Sequence, residues 1–136
     1  MQMLQWHCDY FKYRATRLAL RTDIDPTDIG EEHRFENVIV ALVTVEKEDT
    51  PETGRNAITL LQKHMAEVKA DCLLIYPYAH LSNNLSTPAI ALTVLREMEA
   101  FARSKGVKVA RAPFGHYKEF EVKVKGHPLA ELSKHL

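Results

Sequence analysis

The residues best suited to chemistry lie in two runs of the last quarter of the chain. These are Ala112-Pro113-Phe114-Gly115-His116-Tyr117-Lys118 and Lys125-Gly126-His127-Pro128-Leu129-Ala130-Glu131. They set one amine, Lys118, and one carboxylate, Glu131, beside turns rich in proline, glycine and aromatic residues, which are the ingredients of a small polar pocket. A third run, Tyr76-Pro77-Tyr78-Ala79-His80-Leu81-Ser82, has the same character and adds His80. The chain carries no GxSxG, no phosphate-binding loop and no GxGxxG, so serine-nucleophile, nucleoside-triphosphatase and dinucleotide chemistries are all weakly supported. Seven histidines without paired spacing point to no metal, and no cofactor is expected. Local context favours plain roles for each residue: a surface histidine at 80, a solvated strand lysine at 118, an exposed helical carboxylate at 131.

The elements that must position these runs follow from hydrophobic period. Residues 1–8 and 10–20 predict two strands in a hairpin, and the acidic stretch 22–37, with Pro26 and Gly30, predicts a mobile loop. Residues 38–45, a continuous apolar and β-branched run, predict a strand covered on both faces, as do residues 72–75. Thr50-Pro51 and Thr87-Pro88 each pair an N-cap with a proline at the first helical position, and Gly106 stops the second helix. Ile58, Leu61, Met65 and Val68 form the apolar stripe of the first helix. Residues 107–112 predict a strand, residues 117–125 a half-exposed one alternating Phe120, Val122 and Val124 with charged residues, and residues 128–136 a short terminal helix. The expected architecture is α/β (α+β): a mixed β-sheet with two long helices on one face and the other face open to pair with a second copy. Strands ending at Val45 and Ile75 are followed at once by Glu46-Lys47 and by Tyr76 to His80. With the Pro113–Lys118 turn they bring three loops toward one sheet edge, where ligands collect in such sheets.

Length and composition set the class. A chain of 136 residues, 46% apolar and 26% charged, suits one soluble domain. It holds no apolar run of the ~20 residues a membrane helix needs, and no basic, apolar leader, so a cytoplasmic protein is expected. Cys8 and Cys72 lie far apart in strand-like runs and read as buried free thiols. Net charge is zero, yet residues 1–50 hold 6 Lys/Arg against 10 Asp/Glu, and residues 96–136 hold 9 against 5. The second half can therefore face a polyanion.

Taken together, His7-x-Asp9-Tyr10, Val43-Thr44-Val45-Glu46-Lys47, Tyr76 to Ser82, Ala112 to Lys118 and Lys125 to Glu131 resemble the N-terminal editing domain of archaeal-type threonyl-tRNA synthetases. The resemblance spans residues 1 to about 134. It implies a D-aminoacyl-tRNA deacylase-like fold, a homodimer formed through the sheet, and hydrolysis of L-serine mischarged on the 3′ end of threonine tRNA. It also implies a single editing domain over 1–136. The synthetic and anticodon-binding domains would lie outside this chain, in cis or in trans, since it has no room for them. Such editing answers a physical need, because one missing methyl separates serine from threonine by only ~1–3 kcal/mol in a synthetic site.

By the same resemblance Lys118 places water or steadies the oxyanion and leaves little room for the threonine methyl. Glu131 holds Lys118 or the substrate amine, and His80 lies near the seryl side chain. Tyr117 contacts the substrate end, and the backbone of Pro77, Tyr78 and Ala79 recognises the α-amino group. Val45 is a pocket wall, with Glu46 beside it, and Phe114 with Gly115 receives the terminal adenosine. The ribose 2′-OH is implied to activate the water, so no protein nucleophile is required. His116 departs from the pattern, which has another aromatic at that place, and the acidic 22–37 stretch matches no motif. A D-aminoacyl-tRNA deacylase and a non-catalytic tRNA-docking or dimerisation module are the competing readings.

Overall fold

The computed structural model describes all 136 residues. The order is β1 (Gln2–Leu18), β2 (His33–Thr44), α1 (Pro51–Val68), β3 (Cys72–Pro77), α2 (Pro88–Ser104), β4 (Val109–Arg111), β5 (His116–Val124) and β6 (Glu131–His135). The strands lie in the order β4-β3-β2-β1-β5, with β6 also on β1. The α1 and α2 crossovers make β2, β3 and β4 parallel, while β1 is antiparallel to β2, β5 and β6. This is the expected mixed sheet. No helix is long and apolar enough to cross a membrane.

Both helices lie on one face. Ile58 and Leu61 of α1 and Val94, Leu95 and Met98 of α2 share a core with Met3, Ile39, Ala41, Val43, Leu73 and Ile75. The predicted caps are in place: Thr50 and Thr87 accept the N–H groups of Thr53 and Ile90, both at 3.4 Å. Gly106, at φ +77°, closes α2. The helices cross closely at Gly54, where a Cβ would stand 2.8 Å from Met98 Cγ. Any larger residue there must displace the Met98 side chain or α2 itself.

Four sequence expectations are corrected. Gln2–Leu18 form one strand in place of the expected hairpin, because the polar Asp9-Tyr10 step is absorbed as a bulge between Cys8 and Tyr10 and makes no turn. The bulge puts Cys8 and Phe11, three residues apart, in the same buried cluster. The 22–37 stretch is loop only to Glu32, since β2 begins at His33. Val109–Arg111 is the only ladder within 107–112. The terminal helix is instead β6: β5 pairs with β1 only from Cys8 to Leu18, so the edge beside Gln2–Trp6 is vacant, and residues 131–135 fill it.

The second sheet face is not open either. Phe11, Tyr13, Val38, Val40, Leu42, Leu74 and Tyr76 are buried there with no helix above them. The sheet curls until Phe120 of β5 meets Tyr76 of β3 at 5.7 Å between ring centroids, and Phe11 at 5.2 Å. Twist carries the outer strands toward each other, and aromatic side chains fill the trough. The cleft described next opens at the end of this trough.

Candidate functional site

The carboxyl ends of β2 and β3, the start of β5 and the first turn of α2 enclose a cleft of about 560 Å³. Its lining includes Val45, Pro77, Tyr78, Ala79, His80, Phe114, Gly115, Tyr117 and Lys118. Nine of the residues singled out from sequence thus meet in one place. Leu20, Leu85 and Ser86 also line the cleft and carry no sequence signal of their own.

Lys118 is the chemical centre of the cleft. On β5 it has the same parity as Phe120, Val122 and Val124, so the pleat turns it toward the apolar trough. Its Nζ donates to Pro113 O at 3.0 Å and His116 O at 3.1 Å, and lies 5.2 Å from the Tyr76 ring centroid. Burial is the main effect on its acidity and pulls the amine down to about 8, against the opposing attraction of Asp25. A desolvated ammonium with two donors already used has one N–H left for a ligand or water. The expectation of a solvated lysine fails, and the alternation of β5 already contained the sign of it.

The loop after β3 is held by β2. Tyr78 N–H donates to Val43 O at 2.9 Å, Thr44 Oγ1 donates to Tyr78 O, and Ser86 N–H donates to Val45 O at 3.1 Å. Both backbone groups of Tyr78 are therefore committed to β2. The exposed His80 ring packs edge-on against Tyr78, with 4.9 Å between centroids. Opposite, Tyr117 is 53% exposed and carries the Arg17 guanidinium over its ring at 4.9 Å.

The turn before β5 is held by the β1–β2 loop. Phe114 N–H donates to Asp25 Oδ2 at 2.9 Å, Asp25 N–H donates to Phe114 O at 3.0 Å, and Gly115 O accepts from Ala19 N–H at 2.8 Å. Main-chain recognition of a nucleoside by Phe114 is thus closed off, because Asp25 occupies both of its backbone groups. Its ring also packs against the helix-side core. His116 is buried and its Nε2–H donates to Asp25 O at 2.7 Å, so it takes no surface place among the aromatics.

Two expected residues stand apart. Glu46 is absent from the cleft lining; its carboxylate receives the Met1 ammonium at 2.9 Å, Gln2 Nε2 at 3.1 Å and Ser82 Oγ at 2.6 Å. Those donors, Ser82 first, hold its acidity below the usual carboxylate range. It fastens the N-terminus and the loop after β3. Glu131 is exposed on β6 opposite Trp6, while Lys118 lies opposite Ala15. That separation along β1 is roughly 30 Å of strand, so one chain does not bring the two together. Cys8 and Cys72 are free and buried, and burial pushes the Cys8 thiol up to about 12, which leaves it no nucleophile.

The cleft thus holds a desolvated lysine and a loop histidine, with both cysteines buried away from it. A model of the Archaea-specific editing domain of threonyl-tRNA synthetase matches residues 1–136. The chain belongs to this family. Among curated relatives, the threonine–tRNA ligase of Thermococcus onnurineus is 44% identical over 98% of this chain and 22% of its own length. That of Nitrosopumilus maritimus is 40% identical over 98% of this chain and 21% of its own. The editing-domain chain thus spans about a fifth of the ligases it matches. A solved structure described as c-Myc DNA Unwinding Element Binding Protein superposes with a TM-score of 0.61 at 11% identity, covering 100% of this chain and 99% of that one. That likeness concerns the fold alone.

Proposed function

We propose that this editing domain hydrolyses the ester of L-serine on threonine tRNA. The observation that carries the reading is the desolvated Lys118 ammonium, pinned by two carbonyls at the one cleft where the β2, β3 and β5 loops meet. Lys118 offers its remaining N–H to the attacking water or to the oxyanion that forms at the ester carbonyl. The ribose 2′-OH beside that ester takes part in activating the water. His80 and Tyr117 border the seryl side chain and the substrate end. The Pro77 to Ala79 loop receives the α-amino group through Pro77 and Ala79, since the backbone groups of Tyr78 are committed to β2. Val45 and the Phe114 ring are walls. The basic second half of the chain meets the tRNA backbone.

A homodimer gives Glu131 its place. Too far from its own Lys118, it serves a cleft only by crossing to a second copy. The domain works beside the synthetic and anticodon-binding domains of a threonyl-tRNA synthetase, in cis or in trans, in the cytoplasm.

The test is to incubate the protein with seryl-, threonyl- and D-aminoacyl-tRNA and follow loss of each ester. Rapid release of serine alone is expected. Loss of only D-aminoacyl esters, or no release beyond the buffer rate, sinks the reading. Sedimentation of the same samples reports the dimer, and a monomer at assay concentration removes the role given to Glu131.

A further inference from the structure

The loop from Ala19 to Glu32 has no part in that reading, yet it carries the most heavily bonded carboxylate beside the cleft. Asp25 is only 7% exposed. Its Oδ2 accepts the Phe114 N–H at 2.9 Å, and the Arg111 guanidinium spans both carboxylate oxygens, with Nη2 at 3.1 Å from Oδ1. Arg96 reaches Oδ1 at 3.3 Å, and Glu99 of α2 holds Arg111 from behind at 3.2 Å. The main chain of Asp25 adds two more ties, giving its N–H to Phe114 O at 3.0 Å and taking His116 Nε2–H on its carbonyl at 2.7 Å. One residue therefore grips the Pro113–His116 turn from side chain and backbone together. The approach is close enough to require Gly115, where φ is +90° and a Cβ would meet Ile24 at 3.1 Å.

The grip matters because of what the turn presents. Pro113 O and His116 O are the two acceptors of Lys118 Nζ. A loop that merely covered surface would need no buried carboxylate between two guanidiniums, an arrangement whose desolvation cost is hard to recover. We propose that Asp25 is a positioning residue for Lys118, fixing the turn whose carbonyls aim the ammonium into the cleft. Its negative charge also favours the charged amine in apolar surroundings. The proposal rests on the reading of Lys118 as the group that places water. The charged and titratable groups around the amine are Asp25 of the loop, itself paired with Arg111 of β4, His116 and Tyr117 on its own strand, Tyr76 on β3, and Tyr78 and His80 across the cleft.

NMR of the Lys118 side chain, followed through 13Cε against pH, tests the idea in the intact chain. In Asp25→Asn the titration midpoint should fall below that of the parent, and seryl-tRNA hydrolysis should drop ~10–100-fold, as a misplaced catalytic group does. Asp28→Asn, an exposed acid of the same loop, should match the parent in both. The unmodified chain gives a readout that needs no variant to fold: Lys118 13Cε should show a smaller second step at the acid pH where Asp25 takes up its proton. An Asp25 that only stabilised the fold would lower the unfolding temperature and leave the midpoint where it was. An unmoved midpoint in a folded Asp25→Asn, or no acid step in the parent, overturns the proposal. A moved midpoint in a protein that hydrolyses no seryl-tRNA supports the positioning of Lys118 and removes the proposed substrate instead.

Discussion

The two halves of β1 each meet a partly buried polar cluster, and the clusters differ in how fully they are satisfied. Beside the first half, every hydrogen of the histidine pair has an acceptor. Leu129 N–H donates to His127 Nδ1 at 3.2 Å, which leaves His127 Nε2–H to donate to His7 Nδ1 at 2.7 Å. His7 Nε2–H then donates to Asn37 Oδ1 at 2.7 Å, and Asn37 Nδ2 donates to Lys69 O at 3.0 Å. The chain is neutral and closed, and it ties β6 and the turn before it to β1, β2 and the end of α1. Beside the second half, Lys118 keeps a charge among aromatic and aliphatic walls, with two carbonyl acceptors and the unbonded charge of Asp25 to steady it and one N–H left over. A complete set of partners makes buried polarity architectural, and an incomplete one leaves it available for chemistry.

The contrast is broken most sharply at Lys118. Lys118→Met should cut hydrolysis of seryl-tRNA by at least ~10²-fold, the lower range for losing one electrostatic stabiliser. The same change should raise unfolding free energy by about 1–3 kcal/mol, because the thioether fits the trough without an ammonium to desolvate. Since burial lowers the folded amine from 10.5 to about 8, the cost to stability is fully present below pH 8. That cost disappears as pH rises from 8 toward 10.5. The hydrolysis rate of the parent should fall on the same alkaline limb, with a midpoint near pH 8. Denaturant titrations and initial rates across pH check all three outcomes. A variant that loses both activity and stability would mark Lys118 as structural.

The opposite outcome is expected at the histidine pair. His127→Ala removes the donor to the buried His7 ring, so stability should fall by about 1–3 kcal/mol, with hydrolysis per folded molecule little changed. The pH dependence there has its own sign. Burial, ahead of the opposing Asn37 bond, holds His7 below its ordinary 6.5. Its neutral form therefore contributes stability that is complete above pH 6.5 and is lost as pH falls from there toward the lower folded value. Thermal unfolding between pH 5 and 8 measures it, and a flat profile would contradict this account of the pair.

The smallest effect should come from Glu46, which lies near the cleft and belongs with the architecture. Glu46→Gln weakens the ion pair to the Met1 ammonium and should cost about 1 kcal/mol, with the hydrolysis rate unchanged. A rate loss at full stability would return Glu46 to the substrate.

Much of this was legible in the chain. The cap-and-proline pairs at Thr50-Pro51 and Thr87-Pro88, the buried β2 and β3 runs and the alternation of β5 are local signals, and each element formed where its signal stood. The cleft residues were legible through family motifs carried on loops that leave those elements. Lys118 was half legible, because its parity with Phe120, Val122 and Val124 already put it on the apolar side. Asp25 was hidden among acids that share its type and its loop, and only Arg111 and Phe114, distant in sequence, distinguish it. Glu46 and Glu131 looked equivalent as lone carboxylates near motifs. Their partners, the Met1 ammonium for one and the vacant edge of β1 for the other, belong to the fold.

By itself the sequence determined the two long helices and the β2, β3 and β5 strands, the mixed sheet with its crossover helices, the loops that could form a site, and the family. These depend on period, caps and motifs, all of them contacts or patterns within a few residues. The tertiary structure decided that β1 runs unbroken through a bulge, that residues 131–135 become a strand, that the sheet curls closed on its second face, and that Lys118 is desolvated. Each of these depends on which surface is left unpaired or uncovered after the other elements have packed, a quantity no local window contains.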